Sequence, residues 1–156
     1  MSIRDSLAMQ LRGAYGLIRR AAQARLADTD ATVDQVVIMT LLAEEDGLTQ
    51  KDLVERAFSD PSTVRAILVL LEQRGLVRRE VCDEDARARR VYLTSKGRRQ
   101  QKSLVRRSHI GDATRLEALF DGDELRLLRG FLQRIIDDKL AVVNATSQHT
   151  STTGIE

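Results

Sequence analysis

Arg87, Arg89 and Arg90 fall within four positions of one another, at the end of the run 83-DEDARARR-90. A loop this polar is either solvated or bound to an anion. The narrow minor groove of A/T-rich duplexes attracts inserted Arg through its enhanced negative potential. Among the neighbouring acids, Asp85 is the one best placed to hold an Arg by a bidentate pair. A second group lies upstream, where Ser62, Thr63 and Arg65 share a short helical pattern with Ala66 and Val69. Hydroxyls suit base edges or phosphates, Arg suits a bidentate contact with guanine, and small apolar side chains suit thymine methyl groups. Lys51, Lys96, Arg98 and Arg99 stand at helix starts flanking both groups, where backbone N–H groups also favour anions; Arg106 and Arg107 follow.

Little else in the chain could do chemistry. It has no Gly-rich phosphate loop and no nucleophile motif, and its two histidines, His109 and His149, are far apart. With a single cysteine, Cys82, and no local ligand cluster, a zinc site is not expected. We expect no enzyme activity, no cofactor and no metal. Cys82 sits beside Asp83 and Glu84, which disfavour its thiolate, and reads as an ordinary small residue at a strand end.

These groups need elements to hold them. Ile3, Leu7, Leu11, Ala14, Ile18, Ala21 and Leu26 recur at helical spacing, so residues 3 to 27 read as one long amphipathic helix. Thr32 with Gln35 makes a capping box for a second helix reaching about Glu45, and Thr49 with Asp52 starts a short third one. Asp60 as N-cap, Pro61 at the first position and Gly75 as stop delimit a fourth helix ending near Arg74. On its wheel Val64, Ile67, Leu68 and Leu71 form a core stripe, opposite a face centred on Ser62, Ala66, Val69 and Gln73. Val77 and Val81, then Val91 and Leu93, alternate with polar residues on either side of residues 83 to 90 and predict a hairpin with the arginines at its tip.

Thr94 opens a fifth helix running towards Phe120, although Gly97 and Gly111 weaken it. Asp121 with Glu124 caps a last helix striped by Leu125, Leu128, Phe131, Leu132, Ile135, Ile136 and Leu140. The predicted architecture is mainly α with a small β-hairpin wing: a winged helix-turn-helix over residues 31–97. It is flanked by dimerisation helices over 1–30 and 98–145 and followed by a disordered tail over 146–156. The terminal helices carry apolar stripes too extensive for the winged unit to cover, and burial between two copies of the chain is the simplest solution.

Bulk properties agree with this organisation. The 156 residues fit one core plus a helical extension, and 3% aromatics with no Trp imply a core of Leu, Val, Ile and Ala. The net charge of +2 is uninformative, but residues 49 to 107 hold 15 Lys/Arg against 8 Asp/Glu. The basic charge is thus concentrated on and just after the winged segment. Without a signal-peptide core or a membrane-length apolar run, the expected location is the cytoplasm.

In order along the chain, Thr32 to Gln35, Ser62-Thr63-Val64, Leu71-Glu72-Gln73-Arg74-Gly75-Leu76-Val77, and Asp85, Arg87 and Val91 to Gly97 resemble the MarR family of bacterial transcriptional regulators. The resemblance extends from the first helix to about Val143. It implies an obligate, triangular homodimer with interlocked terminal helices and two winged lobes on one palindromic operator. Family members are commonly repressors released by small phenolic or aromatic ligands, or by thiol oxidation. A ligand pocket would lie between the first, second and fifth helices, with Tyr15 and Arg19 as lining residues. The chain departs from the family at Ala66 and Leu70, where basic residues are common. The expected half-site therefore leans towards A/T, with at most one strong guanine contact, from Arg65. An alternative from another class stays open: a winged-helix protein-interaction module that uses Val69 and Leu70 as a partner surface.

Overall fold

The computed structural model describes residues 2–81, 89–109 and 116–150, with side chains to residue 140. Its elements run α1 (Leu7–Ala24), α2 (Val33–Glu44), β1 (Leu48–Thr49), α3 (Gln50–Arg56), α4 (Pro61–Gln73), β2 (Val77–Val81), β3 (Arg89–Leu93), α5 (Ser95–Ser108) and α6 (Gly122–Thr150). Two compact units result, Met1–Gly111 and Asp112–Glu156.

Local chemistry sets most boundaries. At α2, Thr32 Oγ1 accepts from Gln35 N at 3.3 Å and Thr32 N donates back to Gln35 Oε1 at 3.4 Å. The expected capping box is therefore present. Gln23 of α1 adds a third partner by accepting from Val33 N at 3.0 Å, which satisfies a further free N–H of the first turn and ties α1 to α2. Thr49 and Asp52 make the second box. Three hydrogen bonds from Thr49 and the Asp52 amide close it, and those from the Thr49 hydroxyl and amide hold the Asp52 carboxyl below its usual range. Gly75, at φ +68, takes the left-handed position that ends α4.

The core lies in Met1–Gly111. Helix α2 is buried at Val33, Gln35, Val36, Ile38, Met39 and Leu42 and packs against α5, α4 and β3. Leu53, Val64, Leu68 and Leu71 complete the core without measurable exposure; burying each such side chain contributes about 1.5–3 kcal/mol. Antiparallel β3 lies between β1 and β2, with Leu48 opposite Val91 and Val77 opposite Leu93. Val77, Val91 and Leu93 face the core, while the Arg78 guanidinium stacks 4.5 Å above its cross-strand neighbour Tyr92 on the outer face. Helix α5 starts close against the exit of α4. Thr94 Oγ1 donates to Gly75 O at 2.8 Å, and a Cβ on Gly97 would collide with the Leu76 carbonyl.

The structure differs from the sequence expectations at several points. The first helix is not continuous over 3–27: a 3-10 turn, Ile3–Asp5, precedes it, and Ser6 is an extended N-cap whose hydroxyl accepts from Met9 N. Ser favours such caps over helix interiors because its hydroxyl competes for backbone groups. Helix α5 stops at Ser108, where His109 turns left-handed at φ 54, instead of continuing towards Phe120. It packs within the winged unit, so the boundary between units falls after it. Strand β1 has no counterpart among the sequence expectations. The Asp121–Glu124 box caps α6 as expected, and α6 continues through Thr150, into the stretch read as tail.

Candidate nucleic-acid interface

Helix α4 has a sharp division of faces. Val64, Leu68 and Leu71 are fully buried and Ile67 packs on them, while Ser62, Arg65, Ala66, Val69 and Gln73 are exposed. Val69 keeps 41% of its surface. Leu70 is only half-buried, not fully exposed, so the apolar patch on which a protein-interaction reading would rest shrinks to Val69. The wheel drawn from sequence is the wheel observed, because the core stripe anchors the helix rotationally.

A compact set of hydrogen bonds closes the start of α4. Asp60 Oδ1 accepts from the Ser62 hydroxyl at 2.5 Å and from Thr63 N at 2.9 Å, and Asp60 Oδ2 accepts from the Thr63 hydroxyl at 2.6 Å. These donors hold the Asp60 carboxyl far below its ordinary range, the Ser62 hydroxyl contributing most. Gln50 Nε2, at the start of α3, donates to Pro61 O at 3.3 Å and fixes the two helix starts against each other.

The cations divide into two groups. Lys51, Arg65, Arg89 and Arg99 are exposed and have no protein partner among the described residues. Others are engaged: Lys96 Nζ donates to Arg74 O at 2.8 Å, Arg98 pairs with Asp46 and Arg107 with Asp28. Arg89 and Arg90 do not belong to the hairpin tip, as the sequence suggested. Both lie in β3, Arg89 opposite Val81 and Arg90 opposite Glu80. Arg90 is half-buried and donates to Gly47 O at 3.0 Å, so it braces the base of the wing. Strand register is set by pairing across the sheet, which a one-strand pattern does not reveal. Arg87, Asp85 and Cys82 lie outside the described residues.

The pair expected to line a ligand pocket is only partly assembled. A groove of about 440 Å³ runs along α1, lined by Met9, Arg12, Gly13, Gly16, Arg19, Arg20 and Gln23. Arg19 lines it, but its Nη2 is 2.5 Å from Asp34 Oδ2 and so engaged. Tyr15 is 63% exposed and not among the lining residues. The signal missed in the sequence was Gly13 with Gly16: two residues one turn apart without side chains leave a trough that the flanking arginines border. No group of His, Cys, Asp and Glu among the described residues could hold a metal ion, and no described helix is long and apolar enough to cross a membrane.

Comparison with known proteins gives a consistent set of relatives. A model of the MarR family matches residues 29–88. The transcriptional regulator HosA of Escherichia coli O111:H- is 32% identical over 139 residues, covering 88% of this chain and 99% of that protein. Among solved structures, the Staphylococcus aureus MepR–DNA complex superposes with a TM-score of 0.76 at 22% identity, covering 88% of this chain and 99% of that one. CouR from Rhodococcus jostii RHA1, bound to p-coumaroyl-CoA, gives 0.74 at 24% identity over 87% and 95%. At these identities the structures are evidence of a shared fold, the winged-helix arrangement described above.

Proposed function

The chain belongs to the MarR family of transcriptional regulators, and from that premise we propose that it binds double-stranded DNA sequence-specifically, as a homodimer that represses transcription at a palindromic operator. The observation that carries this reading is the division of α4, with one face committed to the core and the other exposed and carrying Arg65, which has no partner among the described residues. In a major groove, Arg65 would take a guanine edge bidentately and Ala66 and Val69 would meet thymine methyl groups. The half-site then leans towards A/T with one strong guanine contact. Lys51, Arg89 and Arg99, which have no partner among the described residues, supply phosphate contacts, which position the protein without reading sequence. Arg87 takes the minor groove, while Arg90, engaged with Gly47, supports the wing rather than entering DNA.

Dimerisation is supported by the apolar side chains left open on both terminal helices, among them Leu7, Leu17 and Ile18 of α1 and Leu127 and Phe131 of α6. For the effector we propose a small aromatic acid in the α1 groove, its carboxylate held by Arg12 or Arg20, since Arg19 is already paired with Asp34.

Selection of bound fragments from genomic DNA tests the DNA-binding reading. It is expected to return a palindrome whose half-sites are about 34–36 Å apart centre to centre, one helical turn. G/C-rich half-sites would contradict the reading of α4, and failure to enrich any duplex would contradict the function.

A further inference from the structure

The connection between α1 and α2, residues 25–32, is held more firmly than a surface loop requires. Leu26 and Ala31 are buried in the core. Thr29 closes the turn between them, its hydroxyl donating to Leu26 O at 2.7 Å and accepting from Ala31 N at 3.3 Å. Side chains from three helices then grip this segment. From α1, Gln23 Nε2 donates to Ala31 O at 3.3 Å while its Oε1 accepts from Val33 N at 3.0 Å. From the end of α4, Arg74 Nη1 donates to Asp30 O at 2.9 Å, and from α5 Arg107 pairs with Asp28. Gln23 and Arg74 thus hold adjacent carbonyls of one short segment from two different helices.

Gln23 also lines the α1 groove, as does Arg19, whose guanidinium is held by Asp34 in the first turn of α2. Two of the groove's polar side chains are therefore committed to the start of α2 and the segment before it. An occupant that turns the Gln23 amide towards itself leaves Val33 N, a first-turn donor of α2, without its partner. One whose carboxylate takes Arg19 leaves Asp34 unpaired. We propose that residues 25–32 transmit occupancy of the α1 groove to the DNA-reading helix, with Arg74 as the positioning residue that fixes the end of α4 to Asp30 O. This rests on the DNA-binding and effector readings above and adds the route between them. Because α4 is one stiff helix, a shift at Arg74 carries Arg65 and Val69 with it, and base-edge hydrogen bonds hold over only about half an ångström. Filling the groove therefore weakens DNA binding from a distance.

The test fills the groove covalently, so that it does not depend on which acid the groove prefers. A Cβ on Gly16 meets nothing within 4 Å, and Gly16→Cys in a Cys82→Ser background offers a single thiol in the groove. Alkylation with 4-(bromomethyl)benzoate, in which the thiolate displaces bromide, fixes an aromatic carboxylate there. Affinity for the selected palindrome is measured by fluorescence anisotropy, with and without label, in three full-length chains: Arg74 and Gln23 intact, Arg74→Met, and Gln23→Met. In the intact chain, labelling should lower affinity about two- to thirtyfold, the range for residues that couple two sites. Each variant should start weaker by about two- to tenfold, the scale of one hydrogen bond, and lose little more on labelling because the same link is already cut. The two variants cut the link at opposite ends, so either one carries the comparison if the other fails to fold. Two results overturn the proposal: no change on labelling the intact chain, or loss by one common factor in all three, as simple dissociation of a dimer would give. Protection of the Gly16→Cys thiol by free benzoate reports separately on the aromatic-acid reading, which fails if the alkylation rate is unchanged. Absence of duplex binding by the unlabelled intact chain would instead fail the DNA-binding reading itself.

Discussion

Leu53, Leu68 and Leu71 of the winged unit have no exposed surface, whereas Leu127 and Phe131 of α6 retain 56% and 50%. The two regions are built from similar residues at similar helical spacing. What differs is the local supply of covering surface. Residues of four further helices and a three-stranded sheet join α4 in one core within one chain, and the outward face of α4 is polar or small apart from Val69. Along α6 at Leu127 and Phe131, and along α1 at Leu7 and Leu17, apolar side chains stay exposed. The contrast teaches that an amphipathic pattern establishes a helix and a sticky face, while the identity of the covering surface depends on elements far away in sequence or in another copy.

Breaking the open face should have the largest effect. Replacing both Leu127 and Phe131 by Glu removes two apolar side chains that occur twice in a symmetric dimer. At about 2 kcal/mol each, dimerisation should weaken by roughly 8 kcal/mol, leaving a monomer in sedimentation equilibrium. A dimer of unchanged strength would place the interface elsewhere.

Breaking the closed face should act on folding instead. Leu68→Ala should lower unfolding stability by about 2–5 kcal/mol in urea titrations, because a fully buried site leaves a cavity. A loss below about 1 kcal/mol would mean that the core collapses around it.

A smaller effect sharpens the comparison from the other side. Phe58, in the turn between α3 and α4, is 68% exposed and left-handed at φ 49, two features that work against stability. Phe58→Gly relieves a backbone conformation costing L-residues roughly 1–2 kcal/mol, against about 0.5–1 kcal/mol of added chain entropy. A gain of up to about 1 kcal/mol should appear as a raised Tm; a clear loss would show that the ring packs against something.

The pH dependence should be smaller still per group. Asp28, Asp52 and Asp60 all titrate below the ordinary carboxylate range in the folded chain, through hydrogen bonds from Arg107, Thr49 and Ser62 respectively. A depressed folded pKa gives stability that is fully present above the unfolded value, about 3.9, and is lost as pH falls through it towards the folded value. Stability should therefore decline below about pH 4, and Asp52→Asn should shallow that decline; an unchanged acid limb would contradict the assignment.

Legibility in the sequence followed the range of the interactions. Helix α4 was readable because Asp60, Pro61 and Gly75 act on their immediate neighbours, and the three capping boxes were readable for the same reason. Strand β1 was not, since two residues become a strand only through pairing with Val91 and Arg90. The register that draws Arg89 and Arg90 into β3 is equally non-local. Gly97 resembled a helix weakness, yet it is where α5 needs no side chain to approach Leu76. The basic charge was visible as a count. Its division into engaged Arg98 and Arg107 and, among the described residues, partnerless Arg65, Arg89 and Arg99 depends on acids many positions away. In the same way, Asp60 was legible as a cap, but the sharing of its two oxygens among three donors emerges only from the folded geometry.

The central claim is that α4 and its surrounding cations engage duplex DNA, and the salt dependence of affinity for the selected palindrome tests it most directly. Log affinity should fall linearly with log salt, at a slope of about −0.9 per phosphate contact, and Arg89→Ala should flatten it by about one unit. Affinity insensitive to salt, or no measurable binding to the duplex at low salt, would contradict the account.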